Sequence, residues 1–99
     1  MAYIIEFADC VKKHFKSLTA NQRSTIIDSV EKQLIHEPLK ETRNRKPLRP
    51  NPIAPWELRI GNLRAFYDVT LENANIVKIL AVGYKEGNTL FIAGKAVKL

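Results

Sequence analysis

Arg59 and Arg64 lie in a segment whose pattern predicts a tight β-hairpin around Gly61-Asn62. A two-residue Gly-Asn loop between alternating apolar positions is a strong hairpin signal. Closing the hairpin at this turn pairs Arg59 directly with Arg64 on one face of the sheet. Because like charges directly opposite each other destabilise a strand pair, the pattern predicts one of two arrangements. Either an external anion binds between the guanidinium groups, or Glu57 and Asp68 form a lattice of ion pairs with them.

The alternation along this hairpin also assigns its two faces. The apolar positions share one face, which we expect to pack under the helix residues Val11, Phe15, Ile27, Val30 and Leu34; they are Trp56, Leu58, Ile60, Leu63, Ala65 and Tyr67. The other face carries Glu57, Arg59, Arg64, Phe66 and Asp68. Guanidinium groups bind phosphate through paired hydrogen bonds and keep their charge. The Phe66 ring suits stacking on an unpaired base, and packing under the C-terminal tail fits the pattern equally well.

A second basic feature precedes the hairpin. Residues 40–49 contain five basic side chains and one glutamate, which leaves a net charge of only +2 for the rest of a chain of net charge +6. Such a concentration is typical of surfaces that bind polyanions, and also of loops that only keep a protein soluble. On the first interpretation, the nucleic-acid-binding residues of this segment are Arg43, Arg45, Lys46 and Arg49.

Hydrophobic periodicity predicts the elements that position these residues. Residues 2–7 have the composition of a strand. Apolar residues at spacings of three and four then predict a first helix, and a capping box of Thr19 and Gln22 predicts the start of a second helix that ends before Pro38. The segment Glu37–Pro55 contains all five prolines and is predicted to be one long loop.

After the hairpin we expect a turn near Glu72-Asn73 and then the almost wholly apolar strand Asn75–Gly83. Residues Tyr84–Asn88 are predicted to be a loop, and Leu90–Ile92 a short strand before a turn at Ala93-Gly94. The chain is thus predicted to be a single α+β domain over residues 1–99. Its N-terminal strand and helical hairpin precede an antiparallel sheet of three to four strands.

The composition excludes several classes of protein. A chain of 99 residues that is 45% hydrophobic and 26% charged is neither disordered nor a membrane span. Cys10 is the only cysteine and is expected to be a small core residue. Together with His14 and His36 it makes too few ligands for a metal centre, so we expect no metal and no cofactor. Glu6 and Asp9 do not fit a signal peptide, which favours a cytoplasmic protein.

The order and spacing of these motifs resemble the RelE/ParE superfamily, the toxins of type II toxin–antitoxin pairs in bacteria and archaea. Four segments carry the resemblance: His36–Leu39, Arg43–Leu48, Glu57–Tyr67 and Leu80–Gly83. The resemblance implies a RelE/ParE-like fold and a cognate antitoxin protein as partner. Because the basic charge is concentrated, we expect the antitoxin to cover the basic surface or to displace the tail.

The ribonuclease branch of this superfamily enters the ribosomal A site and cuts messenger RNA by attack of a ribose 2′-hydroxyl on the adjacent phosphate. The resemblance gives the catalytic, phosphate-holding roles to Arg59 and Arg64, and places the basic residue after the central strand at Lys85. The branch's C-terminal tyrosine or histidine falls close to Phe91, which has no proton to exchange. Tyr84 is nearby in sequence, at a different spacing, and joins the candidate nucleic-acid-binding residues.

The sequence is therefore compatible with three functions. The first is a toxin that acts on the ribosome and its mRNA as an endoribonuclease, or mRNA interferase, and so blocks translation. The second is a ParE-like inhibitor of DNA gyrase without nuclease activity, which the phenylalanine at position 91 favours. The third is a nucleic-acid-binding module without toxicity.

Overall fold

The computed structural model of the chain describes residues 2–70 and 75–98. The turn predicted near Glu72-Asn73 lies outside these residues. The elements are, in chain order, β1 (Ile4–Phe7), α1 (Cys10–Lys16), α2 (Ala20–Leu34), β2 (Arg45–Pro47), β3 (Trp56–Ile60), β4 (Leu63–Thr70), β5 (Ile76–Glu86), β6 (Thr89–Ile92) and β7 (Lys95–Val97). None of the described helices is long and apolar enough to span a membrane.

The described strands form one sheet in the order β2-β3-β4-β5-β6-β7, and β1 pairs with β5 in parallel. The α+β class and the order of strand, two helices and antiparallel sheet are confirmed. With seven strands, the sheet is larger than the three to four predicted. The proline-rich segment contributes β2, whose Pro47 is tolerated because β2 is an edge strand. The tail contributes β7, which pairs with β6.

The predicted hairpin forms with the predicted register. Ile60 pairs with Leu63, and Arg59 with Arg64. Gly61 has a φ of +59°, whereas Asn62 has a negative φ, as in a type II′ turn. The loop predicted at Tyr84–Asn88 is mostly strand: β5 continues to Glu86, and only Gly87-Asn88 forms the turn to β6.

The two helices cover one face of the sheet, which we call the helical face. The Thr19–Gln22 capping box is present, with both of its hydrogen bonds formed. The first core cluster lies here and joins the helix residues Val11, Ile26, Val30 and Leu34 to the hairpin residues Leu58, Leu63, Ala65 and Tyr67. The predicted core face of the hairpin is therefore confirmed. On α2, Ile26 is the fully buried isoleucine and Ile27 is only half-buried.

The opposite face, which we call the far face, carries a second core cluster of Ala54, Phe66, Ala81, Leu90 and Ile92. Side chains of the β2–β3 loop and of the β6–β7 hairpin pack onto it. Asn51 fixes this loop: its amide group donates to the carbonyls of Arg49 and Ala54 and accepts from the amides of Ile53 and Ala54. On β5, a Cβ atom added to Gly83 would lie 2.2 Å from the carbonyl oxygen of Phe91, so only glycine allows the approach of β6.

Helix α1 completes the edge of β5 between β1 and β6. The pairing with β1 ends at Ile79 and the pairing with β6 begins at Tyr84. In the interval, the Cys10 thiol donates to the carbonyl of Leu80 at 3.3 Å, and Nδ1 of His14 accepts from the amide of Val82 at 3.3 Å. The expectation that Cys10 is a core residue is wrong, because its position at the start of α1 leaves it exposed.

The contact between His14 and Val82 predicts a pH dependence of stability. Burial lowers the pKa of His14 below its ordinary value of 6.5, and protonated Nδ1 loses its lone pair and so cannot accept a hydrogen bond. Since the unfolded chain then binds a proton at a higher pH than the folded chain, this contribution to stability is complete above the ordinary pKa. It is lost as the pH falls through the ordinary pKa of 6.5 toward the lower pKa that His14 has in the folded chain.

Thermal melts across this range test the prediction. His14→Asn, whose Oδ1 occupies a position similar to that of Nδ1 and can still accept from Val82, is expected to flatten the decrease in stability. His36→Asn removes an exposed histidine and serves as the matched control. Equal pH profiles for His14→Asn and the unsubstituted chain would show that His14 is not the titrating group.

Candidate nucleic-acid interface

Arg59, Arg64 and Lys85 share the far face at the end of the sheet that holds the Gly61-Asn62 turn. Arg59 and Arg64 are direct partners, and Arg64 pairs in turn with Gly83 of β5. Lys85 is two residues beyond Gly83 and pairs with Leu90 of the second core cluster. The register thus places the Cα atoms of Arg64 and Lys85 on a diagonal of about 7–8 Å. We call these three residues the basic cluster.

Glu57 lies between the two arginines of the basic cluster. Its Oε1 is 3.0 Å from Nε of Arg64 and its Oε2 is 3.6 Å from Nε of Arg59. The residue is only 4% exposed. A buried carboxylate needs compensating charge, and paired arginines need an anion, so the two requirements satisfy each other. Of the two arrangements predicted from the sequence, the structure contains the ion pairs, formed by Glu57 without Asp68.

The two arginines differ in how much of the guanidinium group is free. The Arg64 side chain is 12% exposed and donates from Nη1 to the carbonyls of Gly61 and Leu63, at 2.7 and 2.8 Å. Its Nε is buried beside Glu57 without hydrogen-bond alignment. The Arg59 side chain is 47% exposed. Arg59 is therefore the more accessible cation of the pair, and Arg64 is the more firmly held.

Two residues of the basic segment 40–49 lie close to the basic cluster. Lys46 pairs with Glu57 in the β2–β3 register, and so lies on the far face, where its Nζ is 3.6 Å from Glu41. Arg43 is exposed in the bend before β2, next to Asn44, whose carbonyl accepts from the amide of Arg59. These two cations flank the basic cluster on the side of β3.

Arg45 was predicted to bind nucleic acid together with the other basic residues of this segment. The structure instead places it on the helical face, across the sheet from the basic cluster. It pairs with the core residue Leu58, and its Nη1 donates to the carbonyl of Gln33 at 2.6 Å. Gln33 is in the last turn of α2, where carbonyls lack intrahelical partners and a cation is favourable. Burial raises the pKa of Tyr67, and the charge of Arg45 opposes that shift. The Tyr67 hydroxyl donates to Pro38 at 2.6 Å.

The structure also separates both aromatic candidates and Arg49 from the basic cluster. Phe66 is fully buried in the second core cluster, so its ring offers no surface for a base; the alternative of packing under the tail is confirmed. Tyr84 pairs with Leu63 on the helical face and stacks on Phe91, with ring centroids 5.3 Å apart. Arg49 is exposed in the β2–β3 loop, where it lines a shallow depression with Asp68 and Leu80.

Glu57 is the residue of the candidate site whose contribution the sequence analysis underestimated. The signal was present, since Glu57 occupies the same strand face as Arg59. Its burial was not predictable, because it depends on β2 covering the edge of β3. Within the described ranges, no three His, Cys, Asp or Glu side chains converge to form a possible metal site.

Comparisons with known proteins identify the fold. No protein-family model and no curated protein sequence matches the chain. The structure is similar to a chain in the crystal structure of the toxin–antitoxin complex RelBE2 from Mycobacterium tuberculosis, with a TM-score of 0.71. The match covers 86% of this chain and 100% of that chain, at 24% sequence identity. The RelE-like α+β fold implied by the sequence resemblance is therefore confirmed.

The contrasting surroundings of Arg45 and Arg43 give a stability prediction. Arg45→Met keeps an unbranched side chain and removes the charged donor to the end of α2, so it is expected to lower the free energy of unfolding by about 1–3 kcal/mol. Arg43→Met removes an exposed charge two residues away and is expected to change it by less than about 0.5 kcal/mol. Urea unfolding of both variants measures the difference. Similar values for the two would contradict a structural role for Arg45.

Proposed function

We propose that this chain is the toxin of a type II toxin–antitoxin pair and that it acts on messenger RNA in the ribosome. The observation that carries the proposal is the basic cluster on the far face of a RelE-like fold. The similar chain belongs to a toxin–antitoxin complex, which supports a cognate antitoxin as the partner here. The cations of the basic cluster support RNA as the target.

The chemistry available at the basic cluster is phosphate binding and charge stabilisation. Attack of a ribose 2′-hydroxyl on the adjacent phosphate builds negative charge on the phosphate oxygens, and fixed cations lower the energy of that state. Arg59 and Lys85 are the cations with access to such a phosphate, since most of the Arg64 guanidinium is bonded within the protein. The cluster thus supports binding and positioning of the RNA backbone, and cleavage of that backbone where a proton acceptor is supplied.

Tyr84 and Phe91 do not supply that acceptor. Both rings stack on each other on the helical face, across the sheet from Arg59 and Arg64. Phe91 has no exchangeable proton in any case. These positions favour, as a second candidate, a gyrase-directed toxin that blocks its target without nuclease chemistry. A translating cell-free extract separates the two: new mRNA 5′ ends within ribosome-bound codons support the first, and accumulation of cleaved DNA with purified gyrase supports the second.

Substitutions on β5 provide a matched test of the RNA proposal. Lys85→Ala removes a cation of the basic cluster, and Lys78→Ala removes an exposed cation of the same strand, opposite Asp68. Loss of a charge-assisted phosphate contact costs about 1.5–3 kcal/mol, so Lys85→Ala is expected to weaken growth arrest and translation inhibition by more than tenfold. Lys78→Ala is expected to retain both activities.

Arg59 and Arg64 are expected to differ in a second measurement. Arg59→Ala should lose activity at nearly unchanged stability, because its side chain is half exposed. Arg64→Ala should lower both activity and stability, because the substitution also leaves Glu57 without its nearest cation. Growth assays measure the activity of each variant, and circular dichroism melts measure its stability. Full toxicity in a folded Arg59→Ala/Arg64→Ala double variant would exclude a phosphate-binding role for the cluster and leave gyrase as the better target.

The partner is testable by co-expression. We expect an acidic or DNA-binding protein encoded by the adjacent reading frame to co-purify with this chain and to relieve growth arrest, because a net charge of +6 favours a partner of opposite charge. Expression of the chain alone, followed by colony counts, is the control. High yield of the isolated chain without growth arrest would contradict the toxin assignment.

A further inference from the structure

Glu57 occupies the space between the two arginines of the basic cluster. Its two carboxylate oxygens face different arginines, Oε1 toward Arg64 and Oε2 toward Arg59. A phosphate bound between the two guanidinium groups would likewise direct one oxygen toward each of them. The side chain is 5% exposed and belongs to the same strand face as its partners. The free protein thus holds its own anion at the position where the basic cluster would receive an external one.

We propose that Glu57 is a built-in competitor that closes the anion site of the free protein and lowers its affinity for the phosphate backbone. The inference rests on the proposed function in taking an RNA phosphate as the ligand. With Glu57 in place, the two arginines and the carboxylate carry a net charge of only +1. Glu57 is therefore a residue that sets affinity, and Arg64 is a positioning residue that holds the carboxylate in the site.

The unequal surroundings of the two arginines determine how the site opens. Arg64 is closer to Glu57, at 3.0 Å, and two further hydrogen bonds to the carbonyls of the hairpin turn hold its guanidinium. Arg59 is at 3.6 Å and nearly half exposed. An incoming phosphate therefore draws Arg59 away from Glu57 and leaves the Arg64–Glu57 pair intact. Arg59 makes the contact with the ligand.

Lys46 does not relieve the competition. It is opposite Glu57 in the register of β2 and β3, but its Nζ contacts Glu41 at 3.6 Å. Lys85 lies diagonally from Arg64 on the same face of the sheet and adds one charge that no described carboxylate pairs with. The affinity of the closed site for a phosphate thus depends mainly on Arg59 and Lys85 acting against the carboxylate of Glu57.

The substitution Glu57→Gln tests the proposal, because it keeps the shape and one acceptor oxygen while removing the charge. Asp68→Asn is the matched control: it removes an exposed carboxylate from the same face of the neighbouring strand. Binding of a short single-stranded oligoribonucleotide and of inorganic pyrophosphate is measured by titration over a range of salt concentrations. Stability is measured on the same samples.

We expect Glu57→Gln to bind both probes at least about tenfold more tightly at low salt, since a like charge within a few ångströms of a bound anion is strongly repulsive. For the oligoribonucleotide, the slope of log K against log salt concentration should steepen by about 0.7 for the one additional effective contact. Asp68→Asn should change affinity by less than about twofold. Unchanged or weaker binding by folded Glu57→Gln would overturn the proposal and leave Glu57 as a structural ion pair.

A measurement on the unsubstituted chain covers the case in which Glu57→Gln fails to fold. The Nε–H resonances of the arginines report their contacts during titration with pyrophosphate. The proposal expects the Arg59 signal to shift and the Arg64 signal to stay, and an unchanged Arg59 signal at saturation would overturn it. Tight binding of pyrophosphate without binding of the oligoribonucleotide would retain the role of Glu57 and reject RNA as the target.

Discussion

The fold depends on the backbone of β5, because the peptide groups of this eleven-residue strand need hydrogen-bond partners on both edges. Strand β4 supplies them along one edge. On the other edge, β1 pairs in parallel, α1 contributes the Cys10 and His14 side chains, and β6 pairs antiparallel. The parallel pairing requires a crossover, which the two helices provide. The crossover covers the helical face. The far face is covered by the β2–β3 loop and the β6–β7 hairpin and also carries the charged residues.

The sequence determines the hairpin and the helices well because local signals suffice for them. Gly61-Asn62 fixes both the turn and the pairing of Arg59 with Arg64, and the Thr19–Gln22 box forms as predicted. The error at Arg45 has a non-local cause. A three-residue edge strand, too short to show periodicity, turns that side chain toward the end of α2.

The candidate site was less predictable than the fold, because the burial of its side chains depends on which segments pack onto the far face. Alternation places Phe66 beside Arg64, but the β6–β7 hairpin and the β2–β3 loop bury it. The same covering turns the far face into two regions: an apolar cluster under the tail, and a charged region near the hairpin turn. Glu57 belongs to the second region and limits its positive charge. A count of basic residues therefore overstates the electrostatic attraction that this face exerts.

The hydrogen bond between His14 and Val82 joins residues 68 positions apart in the chain, and that separation has a consequence for biosynthesis. During translation the first strand and helix emerge from the ribosome long before β5 exists. Among the described strands, β1 pairs only with β5, and pairing over such a distance in sequence is slow and must await the later segment. Lys85, at the end of β5, is added after both arginines. A nascent chain therefore lacks the complete basic cluster until β5 has been synthesised and has paired with β4.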